Sequence, residues 1–253
     1  MDKIYVTGDI HGDPMRLEEK RFSAGRTLDK QDVVGILGDF GIIWENEPDE
    51  KEDSLLDWLD AQPWTTAATL GNHENYDRIA SLPTAEHFGG PVWVLRPSVF
   101  LLQSGYVYNI CGKTVWNFNG ARSHDIRDGI LDPADPQYEN KLIEMRMNFR
   151  TMYRIKGISW WEQEIERDPE VYERGRRNLI AAGDTLDFVW THCCGRNTSA
   201  MMGFMENDPL VSYFDEIDAL LPDRTEWYFG HYHRDEQVLR HHVCVYETIM
   251  RIA

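Results

Sequence analysis

The sequence has no apolar run near the ~20 residues a membrane helix requires, so no membrane partner is expected. It is also short of basic residues: 26 Lys and Arg stand against 43 Asp and Glu, a formal net charge of −17 over 253 residues. A grip on the backbone of a long nucleic acid depends on clustered Lys and Arg, so that partner is not expected either. A small phosphorylated substrate drawn in by metal ions stays compatible with the charge. Cysteine is scarce: Cys111, Cys193, Cys194 and Cys244 form no C-x-x-C, and adjacent Cys193 and Cys194 are badly placed to bond to each other. That excludes a disulfide framework and a cysteine-rich structural zinc site. The opening MDKIYVTGDIHGD has neither the basic head nor the apolar stretch of a secretory signal. The expectation is a reduced, cytoplasmic protein.

What is present reads as an α/β chain. Residues 4–7, 33–37 and 66–70 are short apolar runs, each ending in Gly and a polar cluster, with helix-compatible stretches at 14–22 and 52–61 between them. Strand, helix, strand, helix, strand implies a largely parallel sheet covered on both faces. Between 91 and 118 the texture changes to VWVL, VFLL, YVYNI and TVWNF separated by turn signals, which predicts antiparallel strands extending the sheet or opening a second one. Beyond it, 138–153 and 160–183 read as helical, the second broken at Pro169; 188–190 reads as strand, 209–221 as helix, 227–229 as strand and 243–252 as a closing strand. One domain over 1–253 is expected, with a lid-like excursion at about 120–157 that is rich in Asp, Arg and Asn.

Five of the nine histidines, His11, His73, His192, His231 and His233, follow strand-like runs directly, joined in equivalent places by Asp9, Asp39 and Asn72. Loops after the C-terminal ends of parallel strands lie along one sheet edge, so residues distant in sequence converge there. A single Asp in such a place is most often a helix cap; eight residues at five strand ends are a site. Imidazole, carboxylate and amide oxygen together suit Mn, Fe or Zn.

These residues carry a resemblance. GDIHG (8–12), GDFG (38–41), GNHE (71–74), a later Thr-His (191–192) and GHYH (230–233) resemble, in order, the signature of the calcineurin-like metallophosphoesterases. The resemblance implies a four-layer α/β/β/α sandwich with two divalent metal ions at one sheet edge, manganese foremost and iron or zinc as alternatives. It implies Asp9, His11 and His233 on the first ion, Asn72, His192 and His231 on the second, and Asp39 bridging both. It also implies a hydroxide between the ions as nucleophile, made available by a water pKa lowered toward ~7. His73 is then the general acid or transition-state stabiliser, roles that an ordinary imidazole pKa near 6.5 suits.

The pattern departs from the Ser/Thr protein phosphatase branch, whose second motif GD-x-x-DRG supplies an Arg for phosphate. GDFGIIW here has none, which argues against that activity and leans toward a diester. GNHEN, Gly120 to Ser123, SWW-x-x-E and FGHYH are similar to a bacterial and phage-associated subgroup without a settled substrate. A non-catalytic scaffold normally shows lost ligands, and none is lost. Arg122, His124 and Arg127 are the candidates for a replacement phosphate-binding cation. Glu74 reads as a cap for the helix after it, Cys193–Cys194 as packing at a strand end, Trp160–Trp161 as the core face of a helix, and His241–His242 as surface.

Overall fold

The structure, a computed structural model, describes residues 2–253. In chain order the strands are β1 (Ile4–Thr7), β2 (Val33–Leu37), β3 (Thr65–Thr69), β4 (Thr84–His87), β5 (Gly90–Arg96), β6 (Val99–Leu102), β7 (Tyr106–Ile110) and β8 (Lys113–Phe118). They continue as β9 (Gly129–Leu131), β10 (Tyr153–Ile155), β11 (Phe188–Thr191), β12 (Glu226–Phe229), β13 (Glu236–Leu239), β14 (His242–Cys244) and β15 (Met250–Arg251). The helices are α1 (Glu50–Asp60), α2 (Tyr76–Ile79), α3 (Tyr138–Met147), α4 (Pro169–Ala182), α5 (Arg196–Met201) and α6 (Pro209–Asp218).

Two sheets stack. One runs β15-β1-β2-β3-β6-β5-β4 and the other β13-β14-β12-β11-β8-β7; a separate parallel pair, β9 and β10, lies within the segment 120–157. In the first sheet β1, β2, β3 and β6 are parallel, and in the second β8, β11, β12 and β14 are. Successive strand residues point to opposite faces, and both faces here are apolar. Ile4, Val6, Val33 and Leu37 meet Val115, Phe188, Trp190 and Tyr228 of the other sheet in a shared central core. Tyr5, Val34 and Ile36 face outward instead, onto Leu56 and Leu59 of α1. On the far side Trp116, Val189 and Trp227 pack against Leu179 of α4 and Leu210, Phe214 and Ile217 of α6. The result is α/β/β/α, the four-layer architecture the motifs imply. The sheets approach closely enough that a side chain at Gly35 would overlap the Trp190 ring. Each buried aliphatic or aromatic side chain contributes roughly 1.5–3 kcal/mol.

Several local expectations fail, for identifiable reasons. The helix predicted over 14–22 is only a 3-10 turn, Pro14–Leu17, because Glu18 turns extended and Arg16 is drawn off to the carbonyl oxygens of Asp9 and Tyr246. The helix predicted over 138–153 stops at Met147, and the chain returns as β10 beside β9. Of 160–183, only α4 is an α-helix. It starts where the Asp168 side chain accepts from Glu170 N, while Trp161 upstream is extended and packs edge-on against Trp44. The closing strand predicted over 243–252 splits into β14 and β15, which join different sheets. The Asp235 carboxylate causes the break by accepting from the backbone N–H groups of Tyr246, Glu247 and Thr248. His242 is buried with Nε2 3.0 Å from Asp218 Oδ1, not on the surface. Strand β4 has no signal in the sequence because its first three residues are exposed and it pairs only at the sheet edge. Among the described residues no helix is long and apolar enough to cross a membrane.

Candidate metal centre

The loops after β1, β2, β3, β11 and β12 open on the same edge, and all eight motif residues meet there. Asp9 is buried; its Oδ1 accepts from His231 N at 3.0 Å, and its Oδ2 lies 3.1 Å from His233 Nε2. His11 Nε2 is 3.2 Å from His233 Nε2, so Asp9, His11 and His233 face one point. Asp39 sits between this group and the next. Its Oδ1 accepts from His73 N at 2.8 Å and lies 3.1 Å from His192 Nε2, while Oδ2 lies 3.7 Å from His11 Nδ1.

The orientation of each donor is set by a bond made on its other side. His192 Nδ1 donates to Leu37 O at 2.8 Å, which leaves Nε2 facing Asp39 and the Asn72 amide oxygen at 3.3 Å. Asn72 Nδ2 donates to Ser123 Oγ at 3.3 Å, and Ser123 Oγ donates to the buried Glu164 at 2.6 Å, so the amide oxygen is the end left toward His192. His231 Nε2 lies 3.2 Å from His124 Nε2 and 3.6 Å from Glu206 Oε1, and its ring centre is 4.9 Å from that of His192.

The backbone is strained to achieve this. Among the described residues six non-glycine residues have positive φ, and four of them are His11, Asp39, His231 and His233. Such conformations cost of order 1–3 kcal/mol each and persist where the surroundings over-determine them. At Gly71 a Cβ would overlap Asp39 Oδ1 and the His192 ring, so the loop after β3 can close over Asp39 only as glycine.

The electrostatics favour cations. Asp9, Asp39 and His192 present ligand-type atoms within 4.8 Å of one another, all buried. The Asp39 carboxyl is held far below the usual carboxylate range: burial opposes this, and His192 overcomes it. The His192 imidazole is correspondingly raised to about 9, burial being outweighed by Asp39 and Asp9. Two buried carboxylates this close require positive charge beside them. Asp9 Oδ2 is buried and, although His233 Nε2 lies 3.1 Å away, it has no partner in hydrogen-bond geometry among the described residues, an acceptor for which a divalent ion would fit.

The family model for the calcineurin-like phosphoesterases matches residues 2–235, a span that contains every one of these loops. The chain belongs to that family. Members of the calcineurin-like phosphoesterase family are metal-dependent phosphoester hydrolases, and the clustered carboxylates and imidazoles of this one offer candidate sites for divalent ions. No curated protein matches the chain.

Around that centre this calcineurin-like phosphoesterase brings in residues the motifs do not mark. His73 stacks on Trp44 at 5.7 Å between ring centres, and Arg154 Nη2 lies 3.1 Å from His73 Nε2. Burial and the Arg154 cation bring the His73 imidazole down to about 4 against the pull of Asp39, not the ordinary value its place in the motif suggests. Of the three cation candidates, His124 reaches the centre, bonded to Glu206 Oε1 at 2.9 Å. Arg127 does not: it is exposed and tied to Asp128 and Arg150 O. Arg122 lines a separate cavity of about 530 Å³ with Trp160, Tyr172 and Asp208. Glu74 caps nothing. Its buried carboxylate accepts from Phe40 N, Gly41 N and Gly71 N, tying the β2 loop to the β3 loop, and burial raises its pKa to about 8. Asn75 caps α2 instead, accepting from Arg78 N. Cys193 and Cys194 are packing residues as expected, their thiols pushed well up by burial. Nothing local in the sequence points to Trp44, Glu206 or Arg154.

Proposed function

We propose that the chain is a dinuclear metal-dependent phosphoesterase that hydrolyses a small phosphate ester. Asp9, His11 and His233 would hold one divalent ion and Asn72, His192 and His231 the other, with Asp39 shared. The observation that carries this reading is the position of Asp39, whose two oxygens face different histidines, Oδ1 toward His192 and Oδ2 toward His11. When bound, such a pair of ions supplies Lewis-acid charge for phosphoryl oxygens and a water acidified toward ~7. The chain's own residues do the rest. The Asp39 carboxylate offsets repulsion between the two cations, and Asp39 Oδ1 also fixes the His73 backbone. His73, beside the buried Asp39 and against Trp44, is neutral in the free protein at neutral pH; it donates a hydrogen bond to the ester oxygens, or a proton once the phosphate charge and the departure of the Arg154 cation raise its pKa. The donor set fits Mn, Fe or Zn. A small substrate is favoured over a polymer because the formal net charge is −17 and Glu45, Asp49 and Glu52 line a cavity beside His73.

The test is reconstitution of metal-free protein with Mn²⁺, with turnover of p-nitrophenyl phosphate and bis-p-nitrophenyl phosphate measured beside the metal content. Two ions per chain and turnover of either ester are expected. Two bound ions without turnover of any phosphate ester would leave a metal-bound scaffold.

Glu206 is the outer support of this arrangement. Burial opposes its charge, but His124 and His231 hold its carboxyl well below the usual range, and Tyr232 OH donates to Oε2 at 2.5 Å. A carboxylate on the far nitrogen of a ligating imidazole fixes its ring and raises its basicity. Glu206→Gln should therefore weaken Mn²⁺ activation roughly 10- to 100-fold with a smaller change in turnover at saturating metal. An unchanged activation curve would remove Glu206 from the metal site.

A further inference from the structure

Arg154 belongs to β10, inside the excursion, yet its guanidinium ends at His73 in the centre. Nη2 lies 3.1 Å from His73 Nε2 and 3.5 Å from Nδ1, and it is paired with the Asp125 carboxylate. The side chain is 16% exposed, so its direction is set by packing. Trp44 covers the same imidazole, and Trp161 holds Trp44 in place. Guanidinium carries five N–H donors in a rigid plane. Asp125 and His73 engage only Nη2, and Nε and Nη1 have no hydrogen-bond partner among the described residues. The other nearby guanidinium, Arg16, is spent on the carbonyl oxygens of Asp9 and Tyr246. A cation with open, planar donors thus stands beside the imidazole that faces the ester, anchored along one edge by a carboxylate.

We propose that Arg154 binds the terminal oxygens of a phosphate monoester dianion and makes this chain a monoesterase in preference to a diesterase. The inference rests on the phosphoesterase reading above and deepens it. A monoester dianion offers unsubstituted oxygens and two charges to a planar fork, and guanidinium–phosphate contacts are bidentate and charge-assisted. A diester has a second substituent where one of those oxygens would be and carries half the charge. Asp125 holds Arg154 in place in the free protein, and the guanidinium leaves His73 for the phosphate when substrate enters. The absent Arg of the second motif leans the sequence toward a diester; a cation delivered from 81 residues further along the chain than His73 reverses that lean.

The experiment compares Mn²⁺-loaded wild type, Arg154→Ala and Arg154→Lys on p-nitrophenyl phosphate and bis-p-nitrophenyl phosphate, with inorganic phosphate binding measured by calorimetry on the same samples. Wild type should favour the monoester. Arg154→Ala should lose roughly 10- to 100-fold in kcat/KM on the monoester, the range for hydrogen bonds to a charged group, and several-fold less on the diester. Arg154→Lys, which keeps charge without the fork, should fall between. Phosphate binding should weaken at least about tenfold in the Ala variant. Equal losses on both esters, or a wild type that favours the diester, would overturn the inference and leave the phosphoesterase reading standing. If wild type turns over neither ester, the phosphoesterase reading fails, and calorimetry still decides Arg154: weaker phosphate binding in the Ala variant supports its role, and unchanged binding overturns it.

Discussion

Replacing Asp39 by alanine should cost the protein its bound metal and at least about 10³-fold in turnover. Asp39 is 2% exposed and touches three elements of the centre at once: the His73 backbone N–H, His192 Nε2 and His11 Nδ1. No neighbour can replace it, because Asp9 accepts from His231 N through Oδ1 and turns Oδ2 toward His233. The metal-free variant should be less stable as well. Removing one partner of a buried pair costs about 3–5 kcal/mol, since His192 is left in the interior without the anion that supports its charge. Asp39→Asn separates the causes, keeping the shape and an acceptor oxygen while removing the charge. Metal analysis, denaturant unfolding and turnover read the three effects; an alanine variant with two ions and normal activity would refute the bridging role.

The second large effect is expected at His73, with the opposite metal result. His73→Ala should lower kcat by about 10²- to 10⁴-fold, the contribution of a positioned proton-transfer group, while two ions remain bound. The reason lies in how His73 is attached. Its backbone N–H holds Asp39 Oδ1, and alanine keeps that bond. Its imidazole reaches no nearer than 4.0 Å to Asp39 Oδ2 and spends its faces on Trp44, Arg154 and His11. His73 nevertheless lies within ligand distance of a group with His11 and Asp39. Loss of one ion in the alanine variant would therefore make it a ligand, and undiminished kcat would end its proposed role in catalysis.

The strand-end motifs were legible because each is local. An apolar run, a glycine and a polar residue within about six positions define a strand and the loop after it. The parallel topology then forces those loops to one edge, so strand order alone groups Asp9, Asp39, Asn72, His192 and His231. Strands apolar on both faces implied a sheet covered on both sides, while the four-layer arrangement of two stacked sheets came with the resemblance carried by the motifs. Helix extents read worse, as 14–22 and 160–183 show, because composition there is compatible with helix while single tertiary contacts, Arg16 on Tyr246 O and Trp161 on Trp44, take the chain elsewhere.

By itself the sequence determined the family, the α/β class and which eight residues meet at one sheet edge, since all of these rest on short-range pattern and strand order. Only the tertiary structure decided what surrounds them. Arg154 meets His73, Glu206 meets His124 across 82 positions, and Glu164 orients Asn72 through Ser123. These are meetings of side chains far apart in the sequence, whose direction is set by packing against neighbours. The sequence around them carries no periodicity that encodes it. The same holds for the pull of two buried carboxylates on His192, which exists only once the folded chain has excluded water from around all three.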